Sequence, residues 1–177
     1  MSSVPSLSLF VNKAFSMEKE YPPKRKHPPH FPLRERDNQT VIHFVTVCTK
    51  DRRPLLASPL AHQTLLDSWQ STDSFQVGRY VLMPDHLHLF CTPATLLPDS
   101  LPRWIRYWKS LTAARWPHAI HGKLWQRDFW DTQLRHGESY ANKWDYVRLN
   151  PVRHKLVTQP QEWPYQGEVH PLEWHEK

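Results

Sequence analysis

The sequence predicts an α+β fold in which an antiparallel sheet carries helices on one face. The apolar patterns follow the order strand–helix–strand–strand–helix–strand–helix, which is typical of such a sandwich. The chain has 177 residues, of which 39% are hydrophobic, enough for one compact core but not for two full domains. We therefore expect one folded domain over 40–177, preceded by an arm over 1–39.

The predicted arm at 1–39 is rich in proline and positive charge. Its segment 21–30 alone holds four prolines and three Lys/Arg residues. Proline removes backbone donors and fixes an extended backbone, so the arm is predicted to be polyproline-like or disordered. Two interpretations remain open: the arm lies on a phosphate backbone, or it is a plain flexible leader.

The first predicted elements are a strand and a helix. The segment 41–48 is β-branched and aromatic and predicts a strand. Ser58 then provides an N-cap and Pro59 a first-turn residue for a helix that runs to about Gln70. The predicted apolar side of this helix consists of Leu60, Leu65, Leu66 and Trp69.

A hairpin follows, with strands over 75–83 and 86–92 joined by a tight turn at Pro84 and Asp85. Asp99 or Ser100 is predicted to cap a second helix, which runs to about Arg115. Five of its apolar residues recur at helical spacing: Leu101, Trp104, Ile105, Trp108 and Leu111.

The last predicted elements are a strand over 129–135 and a helix over 138–149. Pro151 ends or kinks this helix, because proline lacks an amide donor and restricts the residue before it.

Composition excludes several classes of protein. The four glycines form no cluster, which excludes a Gly-rich phosphate loop and a dinucleotide fingerprint. No apolar run approaches the roughly 20 residues of a membrane-spanning helix. Two cysteines, Cys48 and Cys91, are too few for a disulfide scaffold and are predicted to be buried thiols in a reducing cytosol. No basic, apolar leader is present near the start, so we expect a cytoplasmic protein that contacts no membrane.

Positive charge and tryptophan concentrate in the same part of the chain. The segment 101–148 holds nine Lys/Arg against four Asp/Glu and six of the nine tryptophans, while the whole chain carries a formal charge of +6. Interleaved cations and aromatic rings suit a surface that follows phosphates and stacks bases. The alternative, favoured by composition alone, is a set of core tryptophans beside a solvated charged face.

A His-x-His motif lies at the start of the strand 86–92. Residues two apart on a strand point to the same face, so His86 and His88 are predicted to project together while Leu87 and Leu89 face the core. Two adjacent imidazoles suit neutral metal ligands or a site with an acidic partner. In a chain with 12 histidines, this motif alone is weak evidence for a metal.

A second motif lies at the end of the last helix. Tyr146 and Asn150 are four residues apart and therefore share one helix face. Tyr146 is a candidate nucleophile and Asn150 a candidate amide ligand. The alternative is a core tyrosine and a helix-ending asparagine before proline, and the residues alone favour that alternative.

Taken together, three motifs resemble those of the single-tyrosine HUH transposases, in particular the REP-associated tyrosine transposases. The motifs are Leu82–Leu89 (LMPDHLHL), the segment 124–130 (LWQRDFW) and the segment 146–153 (YVRLNPVR), and the resemblance covers roughly 40–165. It implies a ferredoxin-like or RRM-like antiparallel sheet. It also implies a DNA transposase or nickase that cleaves and rejoins single-stranded or hairpin DNA through a 5′-phosphotyrosine.

The resemblance also implies roles for individual residues. His86, His88 and Asn150 match ligands of a divalent metal ion, Mg²⁺ or Mn²⁺, and Tyr146 matches the nucleophile. A free phenol ionises near pH 10, so such a nucleophile needs its proton removed or its anion stabilised. Energy stored in a tyrosine–DNA bond requires no ATP, which agrees with the absent phosphate loop.

Four cations are candidate phosphate contacts, each with solvated surface as the alternative: Lys109, Arg127, Arg135 and Lys143. Trp125 and Trp130 are predicted to pack rather than to stack bases. Tyr107 and Tyr140 are rival nucleophiles, but Tyr140 faces away from Asn150 at 3.6 residues per turn.

The chain departs from the family pattern at two places. Lys155 stands where relatives often carry glycine, so we expect a change in that turn and none at the nucleophile. The proline-rich arm has no recognised counterpart in the family.

Three hypotheses therefore compete: a DNA strand transferase, a non-catalytic RRM-like module that binds single strands, and a metal-dependent phosphodiesterase that uses water. The strand transferase is favoured, because binding alone needs neither the histidine pair nor the tyrosine. The resemblance further implies a bacterial, nucleoid-associated protein. The DNA sequence recognised and the choice between monomer and homodimer stay open.

Overall fold

The computed structural model describes residues 41–95, 99–134 and 137–172, with backbone alone for 137–139. The predicted arm and Arg135 lie outside these residues. Five strands and four α-helices are described: β1 (His43–Cys48), α1 (Pro59–Gln70), β2 (Phe75–Leu82), β3 (His86–Pro93), α2 (Leu101–Ala114), β4 (Trp130–Gln133), α3 (Gly137–Arg148), α4 (Asn150–Arg153) and β5 (Gln166–Glu168). Short 3₁₀ turns occur at Lys50–Arg52 and Pro160–Glu162.

The strands form one antiparallel sheet in the order β4-β1-β3-β2-β5. Its first four strands have the order of the split βαβ, ferredoxin-like arrangement. The central strand β3 pairs with β1 on one side and with β2 on the other. The predicted α+β class, the antiparallel sheet and the hairpin are therefore confirmed.

Local signals in the sequence set the start of α1. The Ser58 hydroxyl accepts a hydrogen bond from the Ala61 amide at 3.2 Å, as an N-cap does. Leu65 and Trp69 are buried as predicted, but Leu60 is 51% exposed. The buried stripe of α1 begins at Ala61, and a residue one position earlier is rotated by about 100° from it.

The sheet has two covered faces. Helices α1 and α2 pack on the face that carries Leu87 and Leu89. Helix α3 packs on the opposite face, where Tyr140 lies 4.9 Å from Phe90 between ring centroids. The expectation that the helices share one face therefore holds for α1 and α2 but not for α3, because Tyr140 and Val147 bury themselves against Phe90 of β3.

The histidine face of the sheet also carries the break between α3 and α4. Helix α3 ends at Arg148 and α4 begins at Asn150, with Pro151 in its first turn. The predicted effect of Pro151 is therefore observed as an interruption of the helix at Leu149, after which helical residues resume at Asn150. Just beyond, Lys155 has φ 57°, the left-handed conformation that glycine adopts without strain. Lys155 thus adopts, within this turn, the backbone conformation that a glycine would adopt without strain.

Strand β5 was not predicted from the sequence. It is three residues long, pairs with the outer edge of β2, and follows Trp163, whose Nε1 donates to the Leu82 carbonyl at 2.8 Å. Strands this short have no readable alternation of apolar and polar residues, so long-range pairing determines them. Among the described residues no helix has the length and apolar character needed to cross a membrane.

Lys109 is a buried cation beneath the sheet. Only 7% of the residue is exposed, and its Nζ donates to the carbonyls of Gln126 at 2.6 Å and Arg127 at 3.1 Å. These bonds tie α2 to the segment that leads into β4. Burial lowers the pKa of Lys109 to about 8, although the nearby Asp128 carboxylate opposes this.

This lowered pKa predicts a pH-dependent stability. Above pH 8 the folded chain releases the Lys109 proton while the unfolded chain holds it until about pH 10.5, so stability rises with pH in that window. Relative to Lys109→Met, we expect the wild type to gain about 2 kcal/mol in free energy of unfolding between about pH 7 and pH 9.5. Urea unfolding at both pH values measures it.

The exposed Lys123 offers a matched control. The free energy of unfolding of Lys123→Met should differ from that of the wild type by the same amount at both pH values. If the free energies of unfolding of the wild type and Lys109→Met differ by the same amount at both pH values, the lowered pKa of the buried Lys109 is contradicted.

Candidate active site and metal centre

The two histidines of β3 lie side by side on the face that α3 covers. Their ring centroids are 4.8 Å apart at an interplanar angle of 85°. His86 is 7% exposed, and the ring of Phe44 stacks on His88 at 5.4 Å. The prediction that these histidines project together, with Leu87 and Leu89 in the core, is confirmed.

Asp85 orients the first imidazole. Its Oδ1 accepts a hydrogen bond from Nδ1 of His86 at 2.7 Å, while its Oδ2 pairs with Nε of Arg52 at 2.8 Å. Burial raises the pKa of Asp85, but the hydrogen bond from His86 and the charge of Arg52 outweigh it, so the net pKa falls below 3.8. An ionised Asp85 keeps the proton of His86 on Nδ1, which leaves Nε2 with the lone pair that binds metals.

The turn that carries Asp85 is held by Thr49, the residue that follows β1. The Thr49 amide and hydroxyl both donate to the Asp85 carbonyl, each at 3.0 Å. Across the neighbouring 3₁₀ turn, Asp51 and Arg52 have positive φ values of 57° and 56°. This left-handed backbone delivers the Arg52 side chain to Asp85 and to the sulfur of Cys48, 2.8 Å from its Nη1.

His88 is kept neutral by its surroundings. Burial lowers the pKa of His88 well below 6.5, and the positive charges of Arg52 and Lys143 lower it further, as a protonated His86 also would. Its Nδ1 shares a hydrogen bond of 2.9 Å with the Thr46 hydroxyl. When Thr46 accepts, Nε2 of His88 also carries a free lone pair for a metal ion.

Tyr146 projects from α3 on the same side of the sheet. It is 56% exposed, and the Arg153 guanidinium carbon lies 4.1 Å from its ring centroid. Lys143 lies near this ring: its Nζ is 6.0 Å from the Tyr146 ring centroid and 5.2 Å from that of Phe44, which stacks on His88.

The α3–α4 junction also approaches the histidines. Asn150 is 7% exposed, and its carbonyl accepts the His154 amide at 2.9 Å. The His154 ring centroid is 6.5 Å from that of His86. The structure thus brings the segment of Asn150 next to the histidine pair, while the Asn150 side-chain oxygen accepts from Arg153 at 3.3 Å.

These donors fit a divalent metal ion of open coordination. Within the described ranges no group of three or more His, Cys, Asp or Glu side chains is arranged to hold a metal. A metal bound here would therefore need oxygen ligands, from an amide or a phosphate, in addition to the two imidazoles. The carboxylate beside one imidazole and the hydroxyl beside the other orient both rings, as expected at a metal centre.

The predicted phosphate contacts separate into different environments. Lys143 lies beside Tyr146, as described above. Arg127 is an exposed residue whose Nε pairs with Asp128 at 3.2 Å. Lys109 is buried and bonded to backbone carbonyls, so its predicted role in phosphate binding is wrong. Arg135 lies outside the described residues.

The two tryptophans that were predicted to pack differ as well. Trp125 is 6% exposed and contacts Trp108 edge-on at 5.7 Å, which confirms packing. Trp130 is 41% exposed on the edge strand β4, so the prediction that it packs is wrong. The rival Tyr140 is buried, and Tyr107 projects from α2, the helix that packs on the leucine face.

Sequence reasoning missed three residues of this site: Asp85, Thr46 and Arg153. Asp85 directly precedes a candidate ligand, and Arg153 follows Asn150 by three residues, so both carried a local signal. Thr46 carried none, since only the register of β1 against β3 places it opposite His88.

Comparison with known proteins shows which family the chain resembles. The family model of the IS200-like transposases matches residues 37–147. A REP-associated tyrosine transposase of Escherichia coli is 30% identical over 108 residues, which are 56% of this chain and 62% of that relative. A protein of Haemophilus influenzae assigned to the same kind of transposase is 24% identical over 156 residues, covering 75% of this chain and 86% of its own.

A solved structure shares the fold. It is a REP-associated tyrosine transposase bound to a REP hairpin, with a TM-score of 0.60 and 22% identity, covering 82% of this chain and 96% of that one. The aligned region spans less than two thirds of the Escherichia coli relative. Since the family model covers more than half of the residues, this chain belongs to the IS200-like transposase family.

Proposed function

We propose that this chain is a metal-dependent DNA strand transferase that cleaves and rejoins single-stranded or hairpin DNA through Tyr146. The observation that carries the proposal is an exposed phenol on the helix that packs on the same sheet face as two adjacent, oriented imidazoles. Family membership supports the transposase class. The solved structural neighbour was bound to a REP hairpin, and we extend hairpin DNA to this chain as part of the proposal.

The proposed step is a transesterification at phosphorus. The Tyr146 oxygen forms a bond to the scissile phosphorus and gives up its proton to solvent. The bond from phosphorus to the 3′ oxygen breaks, and that oxygen takes up a proton to leave a 3′-OH. The products are a 5′-phosphotyrosine and a free 3′ end, and attack by a 3′-OH reverses the step without a nucleotide cofactor.

A divalent ion bound at this centre, Mg²⁺ or Mn²⁺, would supply Lewis-acid polarisation of a phosphate oxygen. His86 and His88 would hold it through Nε2, and Asn150 through its amide oxygen. Asp85 and Thr46 keep the two rings turned toward that position. Lys143 adds a positive charge close to the Tyr146 ring and to Phe44, the ring that stacks on His88, and would contact the scissile phosphate.

Tyr146→Phe is predicted to abolish a denaturant-stable protein–DNA adduct formed with Mn²⁺ and hairpin-flanked single-stranded DNA, because the ring then lacks its oxygen. Tyr107→Phe is the matched control, since Tyr107 is equally exposed but projects from α2. Denaturing gel electrophoresis with labelled DNA measures the adduct. An adduct that persists in Tyr146→Phe refutes the nucleophile.

The same assay separates the competing functions. Cleavage without any adduct in the wild type would support hydrolysis by water. Binding without cleavage would support the non-catalytic single-strand-binding module.

Asp85→Asn is predicted to weaken Mn²⁺ binding by roughly 10- to 100-fold, because the carboxamide no longer holds the proton of His86 on Nδ1. His86→Ala and His88→Ala should weaken it at least as much. Calorimetric titration of Mn²⁺ into the DNA-free protein measures the affinity. Asp67→Asn, on the far side of the sheet, serves as control, and an unchanged affinity in Asp85→Asn contradicts the orienting role.

Lys143→Gln is predicted to lower DNA affinity at all sequences and to reduce the slope of log K against log salt by about 0.7, the value for one contact to single-stranded DNA. Fluorescence anisotropy across salt concentrations measures the slope. Lys123→Gln should leave it unchanged. A slope that stays at its wild-type value in Lys143→Gln removes this contact from the proposal.

A further inference from the structure

One guanidinium contacts both residues that the α3–α4 junction contributes to the site. The Arg153 carbon lies 4.1 Å from the Tyr146 ring centroid. Its Nη1 donates to the Asn150 side-chain oxygen at 3.3 Å and to the Tyr146 carbonyl at 2.6 Å. The planar group thus bridges the break in the helix, holding the backbone and the ring of Tyr146 and the side chain of Asn150.

The stacking contact matters because Tyr146 is exposed. An exposed aromatic side chain exchanges between staggered rotamers within nanoseconds, so its hydroxyl spends part of its time away from any one target. A flat guanidinium stacked on the ring favours the rotamer seen here. Lys143, at 6.0 Å, is a compact ammonium that offers no flat surface for stacking.

The hydrogen bond to Asn150 has a separate consequence. An asparagine side chain ends in an acceptor oxygen and a donor amide, and only the oxygen binds a cation. Because Arg153 can only donate, it fixes the oxygen on its own side. A carbonyl oxygen has two lone pairs, so one remains for a metal ion.

We propose that Arg153 is a positioning residue that holds the Tyr146 ring and the Asn150 amide oxygen in one arrangement, ready for a phosphate at the histidine pair. This inference rests on the proposed strand-transfer function. A group that positions a nucleophile acts on the rate of the chemical step, whereas a phosphate contact acts on DNA affinity.

Single-turnover adduct formation at saturating DNA tests the inference. In Arg153→Ala we expect the rate to fall at least roughly tenfold while the Kd for DNA changes by less than about threefold. Arg153→Lys keeps the charge but not the flat stacking surface, so it should restore little of the rate. Arg148→Ala is the matched control, since Arg148 lies on α3 with Tyr146 but pairs with Asp145 at 2.9 Å. This variant should form the adduct at the wild-type rate.

Three outcomes would overturn the inference: a wild-type rate in Arg153→Ala, full rescue by Arg153→Lys, or a loss confined to DNA affinity. The last outcome would make Arg153 a phosphate contact instead.

A second measurement needs neither DNA nor activity. With 3-fluorotyrosine placed at position 146, the ¹⁹F resonance of the folded protein should move toward its position in the urea-unfolded chain in Arg153→Ala but not in Arg148→Ala. An unmoved resonance contradicts the stacking role. If the wild type forms no adduct with any DNA, the proposed function fails, and the fluorine resonance still decides whether Arg153 positions Tyr146.

Discussion

The site depends on the alternation of side chains along β3. Leu87 and Leu89 are fully buried on the leucine face, and this burial forces His86 and His88 onto the opposite face. The strand is paired on both sides, so a slip of one residue would move the histidines into the core under α1 and α2 and the leucines onto the opposite face. The hydrophobic core therefore determines which face carries the chemistry, with no contribution from the histidines themselves.

The second constraint is the broken helix on that face. Val147 and Tyr140 anchor α3 to the sheet, which leaves Tyr146 on the outside of the helix. The helix is interrupted just before Pro151, and Asn150 is buried at the start of α4, whose following residue His154 lies 6.5 Å from His86 between ring centroids. The cations around this junction suit a phosphate ligand. Burial, reinforced by nearby positive charges such as that of Lys143, disfavours a charge on His88 and keeps that imidazole neutral.

Features with a local cause were predictable from the sequence. Helix α1, the hairpin turn and the projection of the two histidines follow from caps, turn residues and strand alternation. Strand β5 could not be predicted, because three residues show no alternation and only pairing with β2 orders them. Lys109 shows the limit of charge patterns, since the tertiary structure buries a cation that composition would place on the surface. Arg153 carried a local signal, but only the folded junction shows that it contacts Tyr146 and Asn150 together.

The central claim is a covalent bond between Tyr146 and the 5′ phosphate of cleaved DNA. Mass spectrometry of a nuclease- and trypsin-digested adduct tests it most directly, because trypsin separates the tyrosines: Tyr146 lies in the peptide 144–148, Tyr140 in 136–143 and Tyr107 in 107–109. We predict that the mass of a phosphate-linked nucleotide appears on the peptide 144–148. The same mass on either of the other two peptides, or cleaved DNA with no modified peptide, would contradict the account.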